Sequence, residues 1–131
     1  MRRDMDLIRR LLIETETLGY DGDMNSRVYG SSWFEDVEDD AFYYHVRLLD
    51  EAGYLTSFSS PTSFGDNVEK HFPFSLTWEG HEFLDSIRDK SSWEKLKKSL
   101  GKNLSTIPVS ALAAVTSEMA KEWALQKMGL K

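Results

Sequence analysis

The stretch that decides the fold is AFYYHVRLLDEAGYL, residues 41–55. Apolar residues recur there at helical spacing in two adjacent rows, one formed by Phe42, Val46 and Leu49 and the other by Ala41, Tyr44, Leu48 and Ala52. Gly53 stands where a left-handed residue commonly ends a helix, and Tyr54 and Leu55 begin β-type sequence. A helix that ends in glycine and continues directly into an apolar strand is typical of the third helix and wing of a winged-helix domain.

The segments before this central helix predict further helical structure. Asp4 is placed to cap a first helix that ends near Leu18, with Gly19 behind it. Residues 27–29 predict a short strand, and residues 33–37 predict a helical turn whose aromatic rings pack under the central helix. Helical spacing of its apolar residues predicts that the first helix is well buried.

The residues after the central helix predict a β-hairpin, the wing, with strands over 54–58 and 68–76 and a long polar tip. Every second residue of the second strand, from 68 to 76, is expected on one face, and Pro73 implies an edge strand. Phe58 and Phe64 lie near the tip. They are either exposed contact residues or rings that return to the core, and the sequence leaves both interpretations open.

Two capped helices are predicted next. Thr77 is placed to cap a helix over residues 78–90, in which Gly80 would let a neighbouring backbone approach closely. Ser91 and Glu94 have the spacing of a capping box and predict the start of a short basic helix.

A long helix over residues 107–128 is expected to end the chain. Its apolar stripe consists of Leu112, Val115, Met119 and Trp123. The stripe either pairs with a second copy of the chain, giving a homodimer, or folds back onto the helix around Trp93. The predicted class is mainly α with a small antiparallel β-hairpin (α+β): a winged-helix-like core, 1–90, and a C-terminal helical extension, 91–131.

Composition limits the protein class. The chain has 131 residues, of which 40% are hydrophobic, so one domain can bury a core without disulfides or metal. It contains no cysteine, which excludes thiolate catalysis and cysteine-based zinc sites and fits a reducing compartment. No apolar run approaches the roughly 20 residues that a membrane span needs. We expect a cytoplasmic protein, in the host cytoplasm if a phage encodes it.

Two patterns superficially resemble metal sites. Residues 21–25 place Asp and Asn at the alternate positions that open an EF-hand loop, but Ser26 replaces its glycine and Ser32 its closing glutamate. An ordinary polar turn is the favoured interpretation. His81 and Asp85 lie one helical turn apart without a second histidine or an evident third ligand. We expect no metal site.

Catalysis has little support in the sequence. Three scattered histidines, no cysteine and no glycine-rich phosphate loop provide no recognisable pair of nucleophile and base. His45 borders the apolar rows of the central helix and is expected to be a partly buried, hydrogen-bonded structural residue. We therefore predict a non-enzymatic protein with no catalytic residues and no cofactor.

The negative charge in and around the central helix disfavours binding of that helix in the major groove of duplex DNA. Residues 21–60 carry nine acidic residues against Arg27 and Arg47, a net charge of −7. Carboxylates at the leading end of a recognition helix would face phosphate oxygens in the major groove. We therefore predict binding to a protein partner through this region, with the contact residues Glu38, Asp39, Asp40, Tyr43, Arg47, Phe58 and Phe64.

The alternative prediction is a dimeric DNA-binding transcriptional regulator. Its phosphate contacts would come from the cationic residues Arg2, Arg3, Lys70, Lys95, Lys97 and Lys98. A solvated basic helix is the simpler interpretation of the lysines around residue 95.

Three stretches resemble one particular family. They are Arg3 to Arg9, the set His45, Leu48, Leu49, Ala52 and Gly53, and the run LTWEGHEFL at 76–84 followed by Ile87, Arg88 and Trp93. The chain resembles an uncharacterised family of small bacterial, phage and prophage proteins over nearly its whole length, except in residues 21–33. The resemblance implies a winged-helix-like fold and a phage or mobile-element setting. It supplies no established activity. For the predicted protein-binding function, the partner considered is a host protein that a phage redirects or blocks.

Overall fold

The computed structural model describes residues 1–18, 33–60 and 69–130. These ranges contain the helices α1 (Met5–Thr17), α2 (Asp39–Glu51), α3 (Trp78–Ile87), α4 (Lys90–Leu100) and α5 (Val109–Lys127), and the strands β1 (Leu55–Ser60) and β2 (Lys70–Leu76). A short 3-10 helix, Gly101–Ser105, joins α4 to α5. The predicted class, mainly α with one antiparallel hairpin, is confirmed. The predicted polar turn at 21–25, the strand at 27–29 and Phe64 lie outside the described residues.

Helix α1 is fixed by polar contacts at its start and from Arg9 in its first half. Asp4 caps it as predicted, because its Oδ1 accepts a hydrogen bond from the Leu7 backbone N–H at 3.2 Å. Arg9 reaches across to α3 and donates to the carbonyl oxygens of Ile87 at 2.8 Å and of Arg88 at 2.7 Å. The last carbonyl groups of α3 are thereby satisfied by a side chain from α1.

Helix α2 is the centre of the core. Phe42 and Val46 are fully buried, and the Trp33 ring meets Phe42 edge-on at 5.9 Å, as the sequence predicted. His45 is also buried, with 1% of its surface exposed. Its Nδ1 donates to the Ala41 carbonyl at 2.7 Å, and its Nε2 accepts from the Asp4 backbone N–H at 2.8 Å. The prediction of a structural histidine is confirmed.

The passage from α2 to the hairpin follows the predicted glycine stop. Gly53 has a φ of 82°, its N–H donates to the Asp50 carbonyl, and the Tyr54 N–H donates to the Leu49 carbonyl. These two bonds form a Schellman motif, which requires a left-handed residue at Gly53. The motif sets the direction in which β1 leaves the helix.

The hairpin departs from the predicted alternation. The register is irregular between Thr56 and Ser57, with Thr56 opposite Ser75 and Ser57 opposite Pro73. Regular pairing would put Ser57 opposite Phe74, so the alternation along β2 is interrupted at this point. Neighbouring Phe72 and Pro73 are both buried, so the expectation that every second residue shares one face is wrong.

The junction of α3 and α4 also differs from the prediction. Helix α3 ends at Ile87 rather than at residue 90, and α4 begins at Lys90. Asp89, not Ser91, caps α4, since its Oδ2 accepts from the Ser92 N–H at 2.8 Å. Because α4 begins at Lys90, Asp89 occupies the N-cap position and Ser91 already lies inside the helix.

Helix α5 folds back onto α3, not onto the helix around Trp93. Leu112 is fully buried, and the Ser86 hydroxyl donates to the Thr116 hydroxyl at 2.9 Å. Leu112 belongs to the same buried cluster as Trp93 and Leu84, so the predicted role of Leu112 in a dimer interface is wrong.

Candidate interaction surfaces

One side of α2 carries most of the exposed acid. Phe42, Val46 and Leu49 point to the core, and charged residues occupy exposed positions at the start of the helix and in its last two turns. We call this surface the acidic face; it consists of Glu38, Asp39, Asp40, Arg47, Asp50 and Glu51.

The two ends of the acidic face differ in how their charges are compensated. At the C-terminal end, Arg47 Nε lies 2.9 Å from Glu51 Oε1, and Asp50 Oδ2 accepts from the Ser57 N–H at 3.0 Å and from the Ser57 hydroxyl. Within the described residues, the carboxylates of Glu38, Asp39 and Asp40 have no ion pair. Carboxylates at this position are stabilised by the positive end of the helix dipole, which leaves their outward side free for a ligand.

A shallow depression of about 290 Å³ adjoins the acidic face. Its lining is polar and comes from α2 and both strands: Arg47, Asp50, Glu51, Ser57, Ser59 and His71. Carboxylate and hydroxyl oxygens are hydrogen-bond acceptors, so the depression suits cationic groups such as lysine or arginine side chains.

Two aromatic residues predicted to contact a partner lie in or against the core. Tyr43 is only 8% exposed, and its ring meets Phe42 and Phe72 at 5.7 Å each. The expectation that Tyr43 is an exposed contact residue is wrong, because Phe72 of β2 packs against its ring. Phe58 is half-buried against Phe72 at 5.2 Å, which favours the core interpretation.

The basic residues lie around the start of α1 and along α4. Arg2 and Arg3 line a depression of about 310 Å³ together with Gly101, Leu104 and Ser105. Lys95 and Lys98 are exposed on α4, and Lys70 is half-buried in β2.

Lys97 is held by a salt bridge. Its Nζ lies 3.1 Å from Asp6 Oδ2 and 3.5 Å from Glu94 Oε1, while the Trp93 indole donates to Asp6 Oδ1 at 2.8 Å. The hydrogen bond to Asp6 raises the pKa of Lys97. Lys97 therefore ties α4 to α1, and a phosphate would have to compete with Asp6 for it.

A wide groove of about 510 Å³ runs beneath the second half of α5. Met119 and Trp123 line it, and Trp123 is 51% exposed. Arg88 on the opposite wall pairs with Glu16 at 2.6 Å and Asp85 at 2.9 Å, and its hydrogen bond lowers the pKa of Glu16. The groove was not predicted from the sequence, because its walls come from three helices and no local pattern brings those residues together.

Fewer residues of the α5 stripe are exposed for self-association than the sequence predicted. Met119 packs against the core, whereas Val115 and Trp123 remain 45% and 51% exposed. The homodimer through α5 stays a prediction that rests on these two exposed residues.

The described residues contain neither a cluster of metal-ligating side chains nor a membrane-spanning helix. Residues 1–18, 33–60 and 69–130 contain no group of three or more histidine, aspartate or glutamate side chains arranged to hold a metal ion. In the same ranges, no helix has both the length and the apolar character needed to cross a membrane.

Comparisons with known proteins place the chain in a family. The family described as "Hypothetical protein (DUF2513)" matches residues 2–106. An uncharacterized protein of Haemophilus influenzae is 30% identical over 128 residues, which cover 92% of this chain and 100% of that protein. A solved structure of a transcriptional regulator from Clostridium thermocellum has a TM-score of 0.36 and 23% identity, over 73% of this chain and 84% of that chain. Because the family match covers well over half of the residues, the chain belongs to the family described as "Hypothetical protein (DUF2513)".

Proposed function

We propose that this protein is a non-enzymatic interaction module whose acidic face binds a basic segment of a protein partner. One observation carries the proposal: Glu38, Asp39 and Asp40 extend from the leading end of α2 with no ion pair in the described part of the chain. The one cation of the acidic face, Arg47, is already engaged by Glu51. In the phage or prophage setting that the family resemblance implies, the partner is a protein of the host cell.

The physical basis is charge complementarity. Opposite charges steer encounter and fix orientation, and a duplex would instead be repelled from the same end of the helix. The polar depression beside Asp50 and Glu51 extends the surface to the hairpin, so a partner segment can contact both helix and wing. Such binding weakens as salt rises, since the Debye length is about 8 Å at physiological ionic strength.

Neutralising the leading end of α2 is expected to abolish partner capture. The test variant is the double change Asp39→Asn and Asp40→Asn, and the matched control is Glu79→Gln with Glu118→Gln, two exposed acids on other helices. Tagged proteins are used to capture partners from nuclease-treated host lysate at low salt, with quantification by mass spectrometry. We expect the test variant to lose basic partners by at least about tenfold, while the control retains them.

Two results would contradict this function. Equal losses for both double variants would mean that net charge alone decides capture. Unchanged capture by the Asn variant would mean that binding occurs on another surface.

Duplex DNA binding is the second candidate, and one observation favours it. Arg2 and Arg3 line one depression with Gly101 and Ser105, at the end of the basic helix α4, although Asp4 and Asp6 line it too. This surface is separate from the acidic face and presents exposed Lys98 as a further cation.

A salt titration with a fluorescent duplex separates the two candidates. If the arginine surface binds phosphates, affinity falls steeply with salt, and the slope decreases by about one for each contact removed. Arg2→Gln with Lys98→Gln would then flatten the slope, and Lys121→Gln on α5 would not. We expect no measurable duplex binding at low salt, as the protein-partner function predicts.

A further inference from the structure

A separate cavity of about 320 Å³ lies where α1, the end of α2, α3 and the start of α5 meet. Its lining includes Arg3, Met5, Leu48, Tyr54, Phe83 and Val109. The volume is within the range of small-molecule sites, which begins at about 300 Å³. Met5 and Phe83 are buried, so much of the wall is a fixed apolar surface.

Tyr54 adds a polar group to this apolar wall. Its ring stacks on Phe83 with centroids 4.9 Å apart and an interplanar angle of 24°, and its backbone is held by the Schellman motif. A tyrosine phenol is protonated at neutral pH, so the hydroxyl can donate, and partial burial raises the pKa of Tyr54 further. Within the described residues, no hydrogen bond engages that hydroxyl.

Arg3 adds a cation with no carboxylate partner in the described part of the chain. Its Nη2 donates to the Ile107 carbonyl at 3.1 Å, which holds the guanidinium at the cavity while leaving its other N–H groups available. Glu51, the one acid of the lining, is paired with Arg47 at 2.9 Å. Among the described residues, the guanidinium has no carboxylate partner and the hydroxyl has no hydrogen-bond partner. A cavity with these two groups and apolar walls is complementary to a ligand that has one anionic group and an apolar chain.

We propose that this cavity binds a small monocarboxylate with an apolar chain, the carboxylate on Arg3 and Tyr54 and the chain against Met5 and Phe83. The larger groove beneath Trp123 does not have this character, because its guanidinium, Arg88, is already paired with Glu16 and Asp85. The cavity shares Glu51 with the acidic face, but Asp39 and Asp40, which test partner binding, lie outside its lining, so each proposal can fail without the other.

Octanoate is a suitable probe, with octan-1-ol and octylammonium as matched neutral and cationic compounds. Each is titrated into the full-length, isotope-labelled protein, and amide chemical shifts are followed by NMR. We expect saturable shifts at the lining residues with octanoate, in the millimolar to micromolar range expected for about ten non-hydrogen atoms. The alcohol and the ammonium compound are expected to bind at least about tenfold more weakly.

Variants locate the site. Arg3→Met keeps an apolar side chain but removes the guanidinium, and we expect it to weaken octanoate at least about tenfold while leaving octan-1-ol unchanged. Arg2→Met is the control, because Arg2 is exposed and does not line this cavity. Val109→Trp should fill the cavity and exclude both compounds, and its NMR spectrum reports directly whether it folds.

The proposal is overturned if octan-1-ol binds as tightly as octanoate, or if Arg3→Met leaves octanoate affinity unchanged. Absence of saturable shifts with octanoate at millimolar concentration would overturn it as well. Should Val109→Trp fail to fold, the comparison of Arg3→Met with Arg2→Met decides alone.

Discussion

The change Gly80→Ala is expected to destabilise the protein by at least about 3 kcal/mol, the upper range for a substitution that overpacks a fixed interior. A Cβ at position 80 would lie 1.8 Å from the Tyr54 carbonyl oxygen and 2.8 Å from its carbon. These are backbone atoms, and the same oxygen accepts the Thr77 N–H at 3.2 Å. Relief therefore requires α3 to move away from the turn after α2, which disrupts the cap that Thr77 provides.

Helix propensity alone predicts that Gly80→Ala increases stability, which is the opposite of the loss expected from the steric clash. The measurement therefore separates the two effects. In an exposed helix, glycine to alanine adds about 1 kcal/mol of stability. The free energy of unfolding is measured by urea titration for Gly80→Ala and for Glu79→Ala, an exposed neighbour in the same helix. A stability for Gly80→Ala equal to or above that of the unmodified protein would show that α3 does not press on Tyr54.

The change His45→Leu is expected to cost about 2 to 4 kcal/mol, although leucine is apolar and similar in size. It removes two hydrogen bonds and leaves the Asp4 N–H and the Ala41 carbonyl without the imidazole partner. Because His45 is 1% exposed, water cannot easily replace those bonds. The loss also loosens the start of α1, where Asp4 caps the helix.

Thermal and urea unfolding check the result, with His81→Leu as the control on an exposed position. Hydrogen exchange at the Asp4 amide adds a local readout, since its protection should fall sharply in the His45 variant alone. Equal stability of the two leucine variants would contradict the structural role of His45.

Local patterns in the sequence predicted the central elements well. The rows of α2, the stop at Gly53 and the cap at Asp4 each depend on residues within a few positions of one another, so spacing is enough to find them. Gly80 was also identified correctly as a point of close approach. What spacing cannot show is which element covers a given side of a helix, and this is why Tyr43 was misplaced.

The same limit applies to the surfaces. Counting charges predicted the acidic face, but the pairing of Lys97 with Asp6 joins residues 91 positions apart and has no local signal. The Arg3 cavity is assembled from four helices and the turn at Tyr54, and Arg3 had been considered only as a phosphate contact. The bulge in the hairpin likewise depends on how β1 pairs with β2.

Arg9 donates to the carbonyl groups of Ile87 and Arg88. The last turn of α3 is therefore completed by a side chain that lies almost eighty positions earlier in the sequence. A fragment that began after α1 would leave those oxygen atoms exposed at the point where the chain reverses into α4. The C-terminal half therefore depends on α1 for these contacts, and we expect the two halves to unfold as one cooperative unit.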